Sequence, residues 1–289
     1  VVRGALSPEE VAAANAAIDA HAGEVKERLD PELRNTRTGT PLAGDGQTGR
    51  RDLGGMLAWA QPHCEPFRNL LAHPQLVPYL LELCGPGYRL DHLPLAILQS
   101  RGSEGFALHG GPLNGAGDFN PTLQYRCVNG KFFNSLLAMS VQLTDHDHGD
   151  GGFCVVRGSH KMNFPVPEPF MHGQIAEEHL YQPATKAGDV VFFSEATVHG
   201  ALPWTADRER RIALYRFAPA TVSYGRSYVP SWPAGMLEGL TSTQRAVLEP
   251  PYAERLDRPV VRAGDSLEVT GRSAKKKRFD SDVFGTAYF

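Results

Sequence analysis

The sequence of 289 residues lacks the features that direct a chain into a membrane or onto nucleic acid. It has no run of roughly 18 apolar residues, the length that a membrane-spanning helix needs. It also has no charged and then apolar N-terminal stretch of the secretory kind. The formal net charge is −3, so no basic field attracts nucleic acid over the whole surface. We therefore expect neither a membrane nor a nucleic-acid partner.

Cysteine is scarce, and no two cysteines form a CxxC pair. The four cysteines are scattered along the chain at Cys64, Cys84, Cys127 and Cys154. Scattered cysteines of this kind are typical of reduced residues in a protein core. Disulfide frameworks occur mainly in shorter secreted chains with an even number of regularly spaced cysteines. We therefore expect a protein of the cytoplasm.

Glycine and proline, in contrast, are plentiful, with 30 and 22 residues, which predicts many turns and short strands. A helix start is predicted by Ser7, Pro8 and Glu10, because Ser7 can cap the helix, Pro8 suits its first position and Glu10 completes a capping box. Apolar residues at helical spacing predict a second helical region over 64–84, which a Gly-Pro-Gly sequence ends.

The pattern changes after this helical region. Short apolar runs such as LAIL and VVFF are separated by Gly, Asp and Asn, as in antiparallel strands of a sandwich or barrel. A short helix is expected near 241–248 within an otherwise irregular end. No linker composition is evident, so we expect one domain. Its parts are a helical N-terminal layer (1–87), a β core (88–220) and a C-terminal extension (221–289).

Two histidines and a basic stretch of the predicted β core are the candidate functional features. His109 lies in the sequence LHGGP, His199 lies in VHG, and the stretch Asp207-Arg208-Glu209-Arg210-Arg211 follows His199. A single histidine in a glycine turn is more typical of a structural residue than of a ligand. The separation of 90 residues, however, allows the two histidines to lie on different strands that face each other.

Taken together, the motifs of this region resemble the phytanoyl-CoA dioxygenase group of iron(II) and 2-oxoglutarate oxygenases. The resemblance covers roughly residues 88–218. Its further motifs are Leu143-Thr144-Asp145, Gly151-Gly152-Phe153 and Arg157-Gly158-Ser159-His160-Lys161 of a strand–turn–strand segment, GDVVFF (188–193) before the second histidine, and the stretch from His199-Gly200 to Arg211.

The resemblance implies a mainly β fold, a double-stranded β-helix (a jelly-roll, cupin-like barrel) with flanking N-terminal α-helices. It implies Fe(II), 2-oxoglutarate and O2, with His109 and His199 as iron ligands and Arg210, eleven residues after His199, as the cation for the far carboxylate of 2-oxoglutarate. The chemistry of the residues agrees. Non-haem Fe(II) oxygenases hold iron by two histidines and one carboxylate, and guanidinium is the natural partner of a carboxylate.

Gly111 departs from the family pattern, because the first ligand motif has an acidic residue two positions after the histidine. Glycine offers no side-chain ligand. The halogenases of this chemistry have the same replacement, and a halide occupies the vacancy. Chloride or bromide would preserve the charge of the iron centre, and glycine would clear the volume that the anion needs. A substrate radical could then combine with chlorine instead of hydroxyl, so the pattern favours radical halogenation.

Three other interpretations remain open. Another acidic residue, Asp118 or Glu195, could supply the third ligand, although a turn is expected between Glu195 and His199. Water could fill the vacancy in an enzyme that still hydroxylates. The chain could also be a binding module without catalysis.

Weaker candidates surround these residues. Ser140 and Gln142 alternate on a core strand and could face 2-oxoglutarate. Asn114 and Trp204 are candidates for a lid over the substrate. The substrate is expected to be a small molecule, either free or attached to a carrier protein. Its identity is set by loops and not by the barrel.

Overall fold

The computed structural model describes residues 1–30, 32–113, 118–225, 232–251, 258–269, 271 and 273–285. Helices are few and mostly short. Within the described residues they are α1 (Pro8–Ala20), α2 (Glu65–Asn69), α3 (Val77–Cys84), α4 (Glu168–Met171), α5 (Ser242–Val247) and α6 (Ala274–Phe284). In these ranges no helix has both the length and the apolar run that crossing a bilayer requires.

Helix α1 begins where the sequence predicts. The Ser7 hydroxyl accepts from the Glu10 N–H and the Glu10 carboxylate accepts from the Ser7 N–H, so both halves of the capping box are formed. Val11, Ala14 and Ile18 are spaced by three or four positions and are buried against the core. Small side chains on this face let the helix lie close to the body of the protein.

The region 64–84 differs from the single helical region that the apolar spacing predicts. It contains two helices, α2 and α3, with turns between them that include Pro74. Proline has no N–H to donate and disfavours helical backbone in the residue before it, here His73. The apolar residues of this region are still directed to the core, where Phe67, Leu76 and Leu80 are fully buried.

The strands form two main antiparallel sheets. The strands are β1 (Lys26–Glu27), β2 (Arg51–Leu53), β3 (Arg89–Gln99), β4 (Phe106–His109), β5 (Arg126–Val128), β6 (Lys131–Phe133), β7 (Leu137–Gln142), β8 (Gly152–Val156), β9 (Leu180–Tyr181), β10 (Val190–Ser194), β11 (His199–Leu202), β12 (Arg210–Ala218), β13 (Pro259–Arg262) and β14 (Ser266–Val269). The large sheet has the order β1-β2-β3-β12-β7-β10, and the small sheet has the order β4-β11-β8-β9. The predicted mainly antiparallel β architecture with N-terminal helices is thus observed. The segment before residue 88 also contributes β1 and β2 to the large sheet.

The two faces of β12 separate the packed core from the candidate site. Side chains on a strand alternate between faces. Ala213, Tyr215 and Phe217 belong to the apolar cluster that packs the helices against the large sheet. Arg210 and Arg216 are on the opposite face and line a cavity that residues of the small sheet close. A smaller apolar cluster, which includes Leu108, Cys154, Val166 and Val198, supports the small sheet.

The C-terminal part combines a helix with a hairpin. Helix α5 lies within the predicted 241–248, and its N-cap, Thr241, forms a capping box with Gln244. Strands β13 and β14 pair with each other, and β13 packs against α5. This part therefore carries more regular structure than its composition predicts.

Candidate metal centre

The two candidate histidines lie side by side on neighbouring strands. Strands β4 and β11 are antiparallel, and His199 is opposite His109 in the register. The two imidazole centroids are 4.2 Å apart. Directly opposed residues point to the same face of a sheet, so both rings project into the space between the two sheets. The 90-residue separation in sequence is thus closed by one strand pairing.

Backbone carbonyls fix the tautomer of both rings. His109 Nδ1 is 2.9 Å from the Ala107 oxygen, and His199 Nδ1 is 2.8 Å from the Thr197 oxygen. A carbonyl oxygen only accepts, so each Nδ1 carries the hydrogen. In the neutral ring this leaves the Nε2 lone pair free, which is the arrangement that metal-binding histidines use.

Burial keeps His199 neutral. The surrounding apolar residues desolvate the imidazole and lower its pKa to about 4, and the neighbouring His109 acts in the same direction. Phe193 lies 4.6 Å from the His199 ring and Phe106 lies 4.8 Å from the His109 ring, measured between centroids. These aromatic rings shield the imidazoles from water, so at neutral pH the Nε2 of His199 acts as an acceptor.

A carboxylate completes the cluster. Donor atoms of His109, Glu195 and His199 all lie within 4.8 Å of one another, and no other group of three such residues was found among the described residues. Glu195 Oε2 is 3.7 Å from His199 Nε2. The turn expected between Glu195 and His199 is present, since the Thr197 N–H donates to the Ser194 carbonyl. This turn folds the Glu195 side chain towards the histidines.

Arg216 holds the other carboxylate oxygen of Glu195. Arg216 Nε donates to Glu195 Oε1 at 3.1 Å. Burial raises the pKa of the carboxyl, but the neighbouring His199, Arg216 and His109 outweigh this effect, and the pKa of Glu195 lies below its ordinary value. The side chain is therefore an anion at neutral pH although only 10% of it is exposed.

The glycines after His109 have a conformational role. Gly110 and Gly111 have φ values of +95° and +87°, which side-chain-bearing residues rarely adopt. A Cβ at Gly110 would lie 2.6 Å from the Thr197 oxygen and 2.9 Å from the Glu195 oxygen. The Gly111 N–H donates to that same Glu195 oxygen. The glycine pair thus allows the turn that carries Glu195 to approach β4.

Arg210 lies in the same cavity and is buried. Its Nη1 donates to Gln99 Oε1 at 2.6 Å, while its Nε has no hydrogen-bond partner in the part of the chain that is described. Burial lowers the pKa of the guanidinium to about 9, and repulsion from Arg50 contributes. A buried cation with a free donor is suited to an anionic ligand. Arg211 points to the other face and pairs with Asp19 and Glu209.

The weaker candidates have different positions. Ser140 lines the cavity, and Gln142 is buried beside it and donates to the Ser140 hydroxyl at 2.9 Å. Asn114 lies outside the described residues. Trp204 is fully buried, donates from Nε1 to the Arg208 carbonyl and packs edge-on against His146. Trp204 is not among the cavity-lining residues.

Sequence reasoning did not identify Arg50 and Gln99. Gln99 orients Arg210, and Arg50 is a second buried guanidinium in the cavity lining, where it approaches the Phe106 ring. The only sequence signal for Gln99 is a polar residue at the end of the apolar run LAILQ. Arg50 had no signal, because it precedes the predicted β core, and it lies next to β2, which pairs with β3.

Comparison with known families agrees with this geometry. The sequence model of the family "Phytanoyl-CoA dioxygenase (PhyH)" matches residues 119–212. This range contains Glu195, His199 and Arg210, and His109 precedes it. No curated protein matches the chain.

Solved structures with the same fold bind metal and 2-oxoglutarate. HygX from Streptomyces hygroscopicus, with nickel, 2-oxoglutarate and hygromycin B bound, is 20% identical, with 77% of this chain and 84% of that chain covered and a TM-score of 0.58. HygX with nickel and 2-oxoglutarate is 19% identical over 77% of this chain and 83% of that chain, with a TM-score of 0.61. SnoN, a non-haem α-ketoglutarate-dependent epimerase of nogalamycin biosynthesis, is 21% identical over 81% and 84% of the two chains, with a TM-score of 0.51.

Proposed function

We propose that this protein is an Fe(II)- and 2-oxoglutarate-dependent oxygenase that oxidises an unactivated C–H bond of a small molecule. The observation that carries the proposal is one cavity lined by a pair of metal-competent imidazoles, His109 and His199, and a buried guanidinium, Arg210. We propose further that the two sheets form a double-stranded β-helix and that residues 1–289 form one domain around this cavity.

The residues present fit the metal and its cosubstrate. The two Nε2 lone pairs are free because each Nδ1 donates to a carbonyl. Arg210 holds a free buried N–H for the far carboxylate of 2-oxoglutarate. When bound, Fe(II) with 2-oxoglutarate and O2 supplies the oxidant that removes a hydrogen atom from the substrate.

The other cavity residues orient and protect these groups. Gln142 donates to the Ser140 hydroxyl, which leaves the Ser140 hydrogen free for a carboxylate oxygen. Gln99 fixes the guanidinium of Arg210. Phe153 and Phe193, whose centroids are 4.5 Å apart, keep water from the imidazoles. Arg50, Arg210 and Arg216 all line the cavity and favour a dianionic cosubstrate.

We favour oxygenation over the halogenation that the Gly111 replacement suggested. The positive φ of Gly111 and its hydrogen bond to the Glu195 carbonyl explain a glycine there without a bound halide. A carboxylate, that of Glu195, also lies within the histidine cluster. One fold neighbour, SnoN, is an α-ketoglutarate-dependent epimerase, so this fold does not by itself favour halogenation. Attachment of the substrate to a carrier protein stays a prediction from sequence.

The experiment that tests the proposal needs no substrate. Under anaerobic conditions, Fe(II) and 2-oxoglutarate added together to the full chain should produce a visible charge-transfer band, because both must bind next to each other. Addition of bromide should leave the band unchanged. His199→Ala should abolish it. The absence of a band in the wild-type protein would refute the proposed function, and a bromide-dependent shift would restore the halogenase alternative.

Restoring the family carboxylate at Gly111 should cost stability and bring no gain in metal binding. Both Gly111→Ala and Gly111→Asp force a side chain into φ +87°, so each should lower the free energy of unfolding by about 1–3 kcal/mol. Urea denaturation measures this loss. Gly54→Ala is the control, because Gly54 has an ordinary φ and open space around its Cα. A fully stable Gly111→Asp protein that binds Ni(II) more tightly would show that an acidic residue is accommodated at this position.

A further inference from the structure

We propose that Glu195 is the third protein ligand of the metal, so that the site is a His109–Glu195–His199 centre for a divalent first-row transition metal. The carboxylate then comes from the turn four residues before the second histidine and not from the position two residues after the first. This assignment deepens the proposed function and rests on it.

The cluster presents three acceptor atoms to one space, which suits a cation between its members. Both Nδ1 atoms donate to carbonyls, so the two Nε2 atoms are acceptors. The facing Oε2 of Glu195, 3.7 Å from His199 Nε2, is also an acceptor. Three acceptors that face one another repel, and none of these three atoms supplies a hydrogen. A divalent cation reverses this repulsion and binds all three, and two histidines with one carboxylate are a donor set that Fe(II) accepts.

Arg216 presents the carboxylate in the right way. It donates to Oε1 of Glu195 and leaves Oε2 on the side of the histidines. An outer partner that occupies one oxygen orients the other towards a metal, as partners of ligating carboxylates commonly do. The ion pair also holds the carboxylate ionised in a buried position before any metal arrives.

The glycines of LHGGP fit this arrangement. Any side chain at Gly110 would collide with the carbonyls of Thr197 and Glu195, and the Gly111 N–H bonds to the Glu195 carbonyl. Gly111, which stands in place of the usual ligand, and Gly110 therefore give the chain space for the replacement. Asp118, the other acidic residue near His109 in sequence, is exposed and is not part of the cluster.

Metal affinity without cosubstrate tests the inference. We would titrate Ni(II) alone into the full chain by calorimetry. Glu195→Gln should weaken binding by more than about 100-fold, beyond the roughly 10–100-fold that loss of an outer-shell partner costs. Arg216→Gln, which keeps the carboxylate, should stay within that smaller range. Asp118→Asn should bind like the wild type. Formate should restore part of the affinity of Glu195→Ala, because it supplies a carboxylate to the space.

The possible outcomes separate this inference from the proposed function. If the wild-type chain binds no Ni(II), the proposed function fails together with the ligand assignment. If the wild type and Glu195→Gln bind Ni(II) equally, only the ligand assignment fails, and Glu195 is a structural partner of Arg216. If Asp118→Asn loses Ni(II) affinity and Glu195→Gln does not, the ligand assignment is likewise overturned.

A measurement on the wild-type protein keeps the inference testable even if the Glu195 variants do not fold. Co(II) is paramagnetic and shifts the nuclear resonances of its ligands strongly. In protein labelled with ¹³C at the glutamate carboxyl group, Co(II) should move one glutamate resonance far outside the diamagnetic range. Spectra in which every glutamate resonance stays in place while Co(II) is bound would overturn the assignment.

Discussion

Replacing Arg210 with glutamine should weaken 2-oxoglutarate binding about 100-fold, which corresponds to about 2.8 kcal/mol. The guanidinium is buried on the cavity side of β12, and its Nε has no partner among the described residues. A carboxylate that binds there loses its water and must be compensated by a full charge. Glutamine keeps a polar group but removes that charge, so the carboxylate would be left buried and unpaired. Calorimetric titration of 2-oxoglutarate into the Ni(II)-loaded protein measures the effect.

The neighbouring arginines provide the controls for this prediction. Arg211→Gln changes the next residue along the strand, whose side chain is on the opposite face and pairs with Asp19, so 2-oxoglutarate affinity should be unchanged. Arg50→Gln removes the second guanidinium of the cavity lining. If affinity survives in Arg210→Gln and is lost in Arg50→Gln, the far carboxylate is bound by the N-terminal segment and the eleven-residue spacing has no functional meaning.

Replacing Trp204 with alanine should lower the free energy of unfolding by about 3–5 kcal/mol. The indole is completely buried, its ring packs against His146, and its Nε1 donates to the Arg208 carbonyl at 2.6 Å. Truncation removes all of these contacts and leaves a cavity that the surrounding strands cannot fill. Trp204→Phe keeps most of the ring and should lose only about 1 kcal/mol for the missing hydrogen bond.

A lid residue would behave differently from a core residue. Truncation of a lid side chain would change the affinity for substrate and leave the free energy of unfolding almost unchanged. Urea denaturation of Trp204→Ala distinguishes the two roles. Phe164→Ala is the control, because 57% of Phe164 is exposed and its removal should change stability by no more than about 0.5 kcal/mol. A stable Trp204→Ala protein would return Trp204 to the lid interpretation.

The sequence patterns anticipated local features well where one physical rule governs them. The capping box at Ser7 depends only on side chains three residues apart, and it forms as predicted. The short apolar run VVFF (190–193) likewise lies in a strand, β10, as predicted. Local rules failed at 64–84, where apolar spacing continues through a break at Pro74, because burial of a side chain does not require the helix itself to be continuous.

The candidate site was partly visible in the sequence for a similar reason. The motifs around His109, His199 and Arg210 reflect strand ends and turns, and these can be read within short windows. The source of a third ligand was not readable. The turn expected between Glu195 and His199 seemed to separate their side chains, whereas the folded turn brings them to within 3.7 Å of each other. Strand periodicity describes a straight segment and carries no information about the direction of a turn.

The sequence by itself therefore predicted a mainly β fold, because short apolar runs and turns are local patterns, and its resemblance to the phytanoyl-CoA dioxygenase group singled out His109, His199 and Arg210. Only the tertiary structure decided which residues join them. Gln99 lies opposite Arg210 in the pairing of β3 with β12, Arg50 lies next to β2, and the Trp204 side chain is completely buried. Position 111 has a glycine and not an acidic residue, yet the turn at 195–198 brings the Glu195 carboxylate beside the two histidines. Long-range packing, which no local window contains, sets the composition of the site.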